Sequence, residues 1–349
     1  MAFQIHGSIP YNELRVLGID PSEITDFSAT VNPLPLPERV SKKVSAQDLA
    51  AYPDIDCFEA RRAISDFYSI RPEKIVVTAG MTETIFSMPS LFNNAIQFSP
   101  TYYDYAAAFR KKRKKIKSVE FPGSETEFEK AINLLRSDKF DLVIICNPNN
   151  PDGKTVSLFQ IEKLCGSFPS SVICIDESYQ EMSLESESAL ALTKKYENLL
   201  VLKSLTKPFG IGGIRAAYAI SSPGIINKIK QRLLPWGVSS IAQRIIPEIF
   251  KEWDYYKKQW IGIHKEKNRI VRGLNRSGVG TISSICPFIF VVCENATELR
   301  TKMLQKHKIS VRDCTSFGMP HYIRVMPSDS RSNDTIIQVL SREILVNQE

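Results

Sequence analysis

Three short segments of this chain end in residues that could do chemistry together. Lys207 closes Ser204-Leu205-Thr206-Lys207 and is followed eight positions later by Arg215 in Gly212-Gly213-Ile214-Arg215. Upstream stand Asp176-Glu177-Ser178-Tyr179 and Asn147-Pro148-Asn149-Asn150-Pro151. A lysine amine can tether a carbonyl compound as a Schiff base and, once displaced, move protons. A buried carboxylate can keep a ring nitrogen protonated, so that the ring accepts the electron pair left when a neighbouring bond breaks. Asn150 and Tyr179 can hydrogen-bond a ring oxygen, while Ser204 and Thr206 offer hydroxyls, and Arg215 a planar fork, to a phosphate. Amine, carboxylate and phosphate donors in one set predict a pyridoxal phosphate site, with Lys207, Asp176 and Tyr179 nearest the chemistry.

Each fragment alone has a plainer reading. Ser/Thr-x-x-Lys is common surface sequence, Asp176 could cap a strand or bind a metal, and Asn-Pro-Asn-Asn-Pro is a good turn. Spacing favours the set: 26 residues separate Asn150 from Asp176 and 31 separate Asp176 from Lys207. Each gap accommodates one crossover between parallel strands, which puts all three segments on the same sheet edge. Asp176 also follows the apolar run Ser171 to Ile175, and α/β sheets bind ligands at the carboxyl ends of such strands.

The elements that must position these residues read as alternating strands and helices. Strand-like runs cover Lys74 to Thr78, Ala95 to Phe98, Lys117 to Phe121, Asp141 to Cys146, Val172 to Asp176, Leu199 to Lys203 and Ala216 to Ile220. This alternation predicts an α/β fold with a mainly parallel sheet. Beyond Ile225 the pattern turns helical, then returns to short strands, Phe288 to Val292 and Tyr322 to Met326, around a helical stretch from Ala296 to Gln305. We expect an arm over residues 1–45, a large domain over 46–240 and a small α+β domain over 241–349.

With these motifs in place the chain resembles, nearly end to end, the fold-type I pyridoxal phosphate enzymes of the aspartate aminotransferase superfamily. Gly80-Met81-Thr82-Glu83, Ser99-Pro100-Thr101-Tyr102, Pro235-Trp236-Gly237-Val238 and Tyr322-Ile323-Arg324-Val325 fall in the family's order. The resemblance implies that amides around Met81 and Thr82 hold the cofactor phosphate, that Tyr102 stacks on its ring, and that Tyr52 reaches the phosphate of a homodimer partner. Within the family the chain is similar to threonine-phosphate decarboxylases of cobalamin synthesis and to histidinol-phosphate aminotransferases. His6-Gly7-Ser8, Asp26 to Leu34 and Val311-Arg312-Asp313-Cys314 look like the decarboxylases, which implies that Asn32, Arg312 and Arg324, with His6 at the mouth, take a substrate's carboxylate and phosphate. The cofactor motifs serve both reactions alike.

Composition sets outer limits. Hydrophobic content of 43% and charged content of 24% are ordinary for a globular protein, and no apolar run reaches membrane-spanning length. We therefore expect a cytoplasmic enzyme with a small phosphorylated substrate and no membrane or nucleic-acid partner. Seven cysteines without a Cys-x-x-Cys pair, and only four histidines, argue against disulfide or zinc frameworks and for no metal. The net charge of +7 is matched by seven basic residues between Arg110 and Lys117. That run could bind nucleic acid in a catalytically silent protein, but it lacks interleaved aromatics and reads better as a solvated helix end.

Overall fold

A computed structural model describes residues 7–45 and 47–345. Seven strands form the main sheet: β1 (Ile75–Thr78), β2 (Asn94–Ser99), β3 (Lys115–Glu120), β4 (Leu142–Cys146), β5 (Val172–Asp176), β6 (Leu199–Ser204) and β7 (Ala217–Ile220), in the order β1-β7-β6-β5-β4-β2-β3. Only β7 runs against its neighbours. Central strands β4 to β6 are near-continuous Leu, Ile and Val and are buried along almost their whole length, as strands covered on both faces must be. Against one face pack α1 (Phe58–Tyr68) and its companion, and against the other α2 (Met81–Ser87) and α3 (Tyr103–Lys111), whose Met81, Ile85, Tyr105 and Phe109 join Leu142, Ile144, Leu200 and Leu202 in one core.

The companion of α1 is α4 (Ser240–Lys251), and the chain then enters the long helix α5 (Trp253–Arg276). Among the described residues, contacts divide the molecule into two compact units, one within 35–181 and 185–257, the other within 7–34, 182–184 and 258–345. The division falls within α5 and not at residue 241, because α4 belongs with α1.

The second unit is built on a four-stranded antiparallel sheet of β8 (Thr281–Ser283), β9 (Ile289–Val292), β10 (Arg312–Asp313) and β11 (Tyr322–Val325), ordered β10-β11-β9-β8. Alternation decides its faces: Ile289, Val291, Ile323 and Val325 point into a core with Ile270, Leu274, Ile336 and Leu340, contributed by α5 and α6 (Ser330–Leu345). The N-terminal segment is stitched into this unit. Thr25–Asp26 pairs in parallel with Ile309–Ser310, Phe27 enters the core, and its carbonyl accepts from the amide of Met326 at 2.8 Å.

The basic run straddles a solvated helix end, as the sequence led us to expect, and then continues into a strand. Helix α3 stops at Lys111, Arg113 turns left-handed (φ 54°), and from Lys115 the chain is edge strand β3. Amides of Lys112, Arg113 and Lys114 close the helix onto Phe109 and Arg110 carbonyls, which leaves Lys115 and Lys117 exposed on the edge. Lysines there oppose pairing with another chain's strand.

Candidate active site

Strands β4, β5 and β6 lie side by side with parallel registers that set Cys146 opposite Asp176 and Asp176 opposite Leu202. Their carboxyl ends deliver Asn150, Asp176 and Lys207 to one edge, as the spacing requires. Asp176 is the last residue of β5 and 2% exposed. Its Oδ1 accepts from the Ser178 amide at 2.9 Å and the Ser178 hydroxyl at 2.6 Å, and its Oδ2 from the Tyr105 phenol at 2.6 Å. Three donors fix the orientation of the carboxylate. Burial, then the charge of Asp176, pushes the Tyr105 phenol well up, so it stays a donor.

Lys207 lies in a tight loop after β6, closed by the Ile211 amide donating to the Thr206 carbonyl at 3.2 Å. Its Nζ stands 4.2 Å from the ring centroid of buried Tyr179 and 5.8 Å from that of Tyr102. Burial lowers the Lys207 ammonium, but Tyr179 and Asp176 outweigh it and hold it above its ordinary value. Tyr102 precedes α3, donates to Asp104 Oδ2 at 2.8 Å and meets Tyr105 edge-on at 5.7 Å. Tyr102, Tyr105, Tyr179 and Lys207 thus form one aromatic wall around an amine.

A place for an anion lies beside this wall. Gly80 caps α2 at φ 85°, and a Cβ there would come within 2.9 Å of Arg215 Nη2. The glycine therefore lets the guanidinium lie against the backbone that leads into Met81 and Thr82. Arg215 also adopts φ 59°, and its Nη1 donates to the Gly212 carbonyl at 3.2 Å. Ser204 ends β6 and is buried, Thr206 is half-buried, and Thr82 is exposed. Glu83 steadies the turn by accepting from the Ala79 amide at 2.7 Å. Cradle, buried carboxylate, amine and aromatic wall fit pyridoxal phosphate in the charge and type of their groups.

Asn150 is 5% exposed at the end of the turn after β4. Its neighbour Asn149 is fully buried, accepts from Thr101 at 2.9 Å, and donates to the Pro100 carbonyl at 2.9 Å and to Asp152 at 2.8 Å. Asp152 is thereby spent on its own turn, accepting also from the Lys154 amide at 3.2 Å. Tyr52 is 85% exposed and rests against Trp236 at 5.5 Å.

In the second unit, Arg312 and Arg324 are register partners across β10 and β11, on the sheet face opposite the helices. They are 1% and 3% exposed, lie 5.0 Å from the Phe317 and Phe288 rings respectively, and Arg312 donates to Ser316 at 2.7 Å. Asn32 is also buried; its amide donates to Gln259 at 2.8 Å and accepts from the Leu34 amide at 3.0 Å. His6 lies outside the described residues. Tyr105, Ser178 and Asn149 were not singled out from sequence. Of these only Ser178 carried a signal, a hydroxyl two residues after a strand-end aspartate, the spacing of an Asx turn.

A family model described as aminotransferase class I and II matches residues 22–340. The adenosylcobalamin biosynthesis bifunctional protein CobDQ of Leptospira interrogans is 32% identical over 96% of this chain, which spans only 40% of that protein's length. A putative threonine-phosphate decarboxylase of Caldanaerobacter subterraneus is 28% identical, with 89% of this chain and 88% of that one covered. The solved histidinol-phosphate aminotransferase of Clostridium acetobutylicum overlays with a TM-score of 0.82 at 25% identity, covering 90% of this chain and 97% of that one.

Proposed function

The chain belongs to the class I and II aminotransferases, as a fold-type I enzyme that depends on pyridoxal phosphate, and within that family we propose that it decarboxylates L-threonine O-3-phosphate to aminopropanol phosphate for cobalamin synthesis. The observation that carries this reading is the pair Arg312 and Arg324. Two guanidinium groups set in register suit a substrate that bears two anionic groups. Threonine phosphate brings a carboxylate and a phosphate; histidinol phosphate bears its phosphate ester on the carbon that replaces the carboxylate and brings the phosphate alone. The printed names of the Leptospira and Caldanaerobacter relatives point the same way.

Pyridoxal phosphate, when bound, would supply an electron sink for the pair left by a broken α-carbon bond. In our reading the chain decides which bond that is. Arg312, Arg324 and Asn32 would hold the substrate's anionic groups and so orient its carboxylate. Lys207 tethers the cofactor and moves the proton at the α-carbon; Asp176 holds the ring nitrogen's proton; Tyr179 and Asn150 take the ring oxygen. Met81, Thr82, Ser204, Thr206 and Arg215 take the phosphate, and Tyr102 the ring face. Tyr52, exposed on one subunit, serves the phosphate site of a second copy in a homodimer.

Purified protein is incubated with threonine phosphate, with and without 2-oxoglutarate. Carbon dioxide released without the oxo acid is the expected result. Glutamate formed from histidinol phosphate and 2-oxoglutarate, with no carbon dioxide from threonine phosphate, would sink the proposal in favour of transamination.

A further inference from the structure

Lys203 is buried at 1% exposure near the end of β6, one residue before Ser204. Its ammonium lies 2.6 Å from Glu177 Oε2, 2.9 Å from Glu181 Oε1 and donates to Gln180 Oε1 at 2.7 Å. These acceptors sit on both sides of Tyr179 in the chain. Glu177 is further fixed: its Oε1 accepts from the Ala189 amide at 2.5 Å and its Oε2 from the Ser188 hydroxyl at 2.6 Å. Glu181 Oε2 is buried with no hydrogen-bond partner. Around them the phenols of Tyr68 and Tyr218 meet at 2.9 Å.

Stability alone is a weak reason for this cluster. Desolvation offsets most of the attraction within a buried ion cluster, so such clusters add little net stability. Burial pushes the Glu181 carboxyl up, while burial of Lys203 is outweighed by Glu177 and Glu181, which hold its ammonium above the ordinary value. The geometry it can secure is local. The chain leaves β5 at Asp176 and turns through Gln180–Met182, so Tyr179 rides on a short loop. Lys203 ties that loop, before and after Tyr179, to the strand from which Lys207 hangs four residues later.

We propose that Lys203 is a positioning residue: by clamping Glu177 and Glu181 to β6 it fixes the Tyr179 ring against Lys207. Rigid support of this kind sets how well a phenol can stabilise a charged group beside it. The inference rests on Tyr179 serving the cofactor and is independent of whether the enzyme decarboxylates or transaminates.

The test uses the holoenzyme and reads the pH titration of the bound cofactor's visible absorbance, together with the melting temperature. Tyr179→Phe sets the reference shift. Glu181→Leu leaves Lys203 and Glu177 as a balanced pair and should fold, yet move the titration midpoint in the same direction as Tyr179→Phe by ~0.5 pH unit or more. Lys203→Met should move it further where it folds; where it does not, Glu181→Leu decides. A lowered melting temperature with an unshifted titration in the clamp variants overturns the clamp alone. A titration unmoved by Tyr179→Phe itself overturns the role of Tyr179, and the clamp's with it.

Discussion

At the scale of single residues, the roles divide by what each side chain touches. Lys207→Ala removes the amine placed on the tyrosine wall, so the variant should lack the visible absorbance of lysine-bound cofactor. Its turnover should fall by ~10³-fold or more, roughly 4 kcal/mol of barrier. An unchanged absorption spectrum would assign the tether to another lysine. Tyr105→Phe is subtler, because it deletes one hydrogen bond to Asp176 and leaves the ring in place. A hydrogen bond to a charged group is worth roughly 1.5–3 kcal/mol, so kcat should drop by about tenfold or more with KM and cofactor content little changed. Wild-type kcat in that variant would mean that Ser178 alone orients the carboxylate. Asp176 was legible because an apolar run ends on it. Tyr105 was not, since it lies 71 residues away on a helix where an aromatic at that spacing reads as packing.

At the scale of elements, the turn from β1 into α2 is the part most exposed to a single methyl group. Gly80→Ala must adopt φ 85° with a side chain and bring its Cβ to 2.9 Å from Arg215 Nη2. The backbone alone costs about 1–2 kcal/mol, and the guanidinium must move off the cradle. Cofactor affinity should therefore weaken by ~10-fold or more, measured by equilibrium dialysis, and the melting temperature should fall as well. Affinity retained with only the melting temperature lowered would show that the phosphate is held elsewhere. The main strands were legible to within a residue or two, since buried parallel strands are uninterrupted apolar runs. The basic run was legible as a helix end, but β3 begins at Lys115, two residues before the strand-like run, because like charges carry no strand period and the pairing of Lys115 with Asn94 shows only in the fold.

At the scale of the whole molecule, the pattern of sequence foretold a second α+β unit but not that residues before Leu34 fold into it. A two-residue strand, Thr25–Asp26, has no period to read. The same scale governs response to pH, because every group whose proton affinity changes on folding adds to one stability curve. Glu343, held down by hydrogen bonds from Lys306 and His307, and Asp54, held down by the Phe58 and Asp56 amides, have depressed folded values. Their contribution is present above the unfolded carboxylate values and is lost as pH falls through the folded ones, which gives an acid limb. Glu181 works in the opposite sense. Burial raises its folded value, so its contribution is complete below the unfolded value, about 4.3, and is lost as pH rises through the folded one. Glu181→Gln keeps an acceptor for Lys203 and cannot ionise. Urea midpoints measured across pH should show the variant gaining on the wild type from about pH 4.3 upward, levelling off once the wild-type Glu181 has ionised. Because the unpaired position at Oε2 is unpaired in both proteins, the constant part of the difference is uninformative and its slope with pH is the signal. A difference flat from acid to neutral pH would mean that Glu181 ionises at its ordinary value even in the folded state, with Lys203 offsetting the whole cost of its burial.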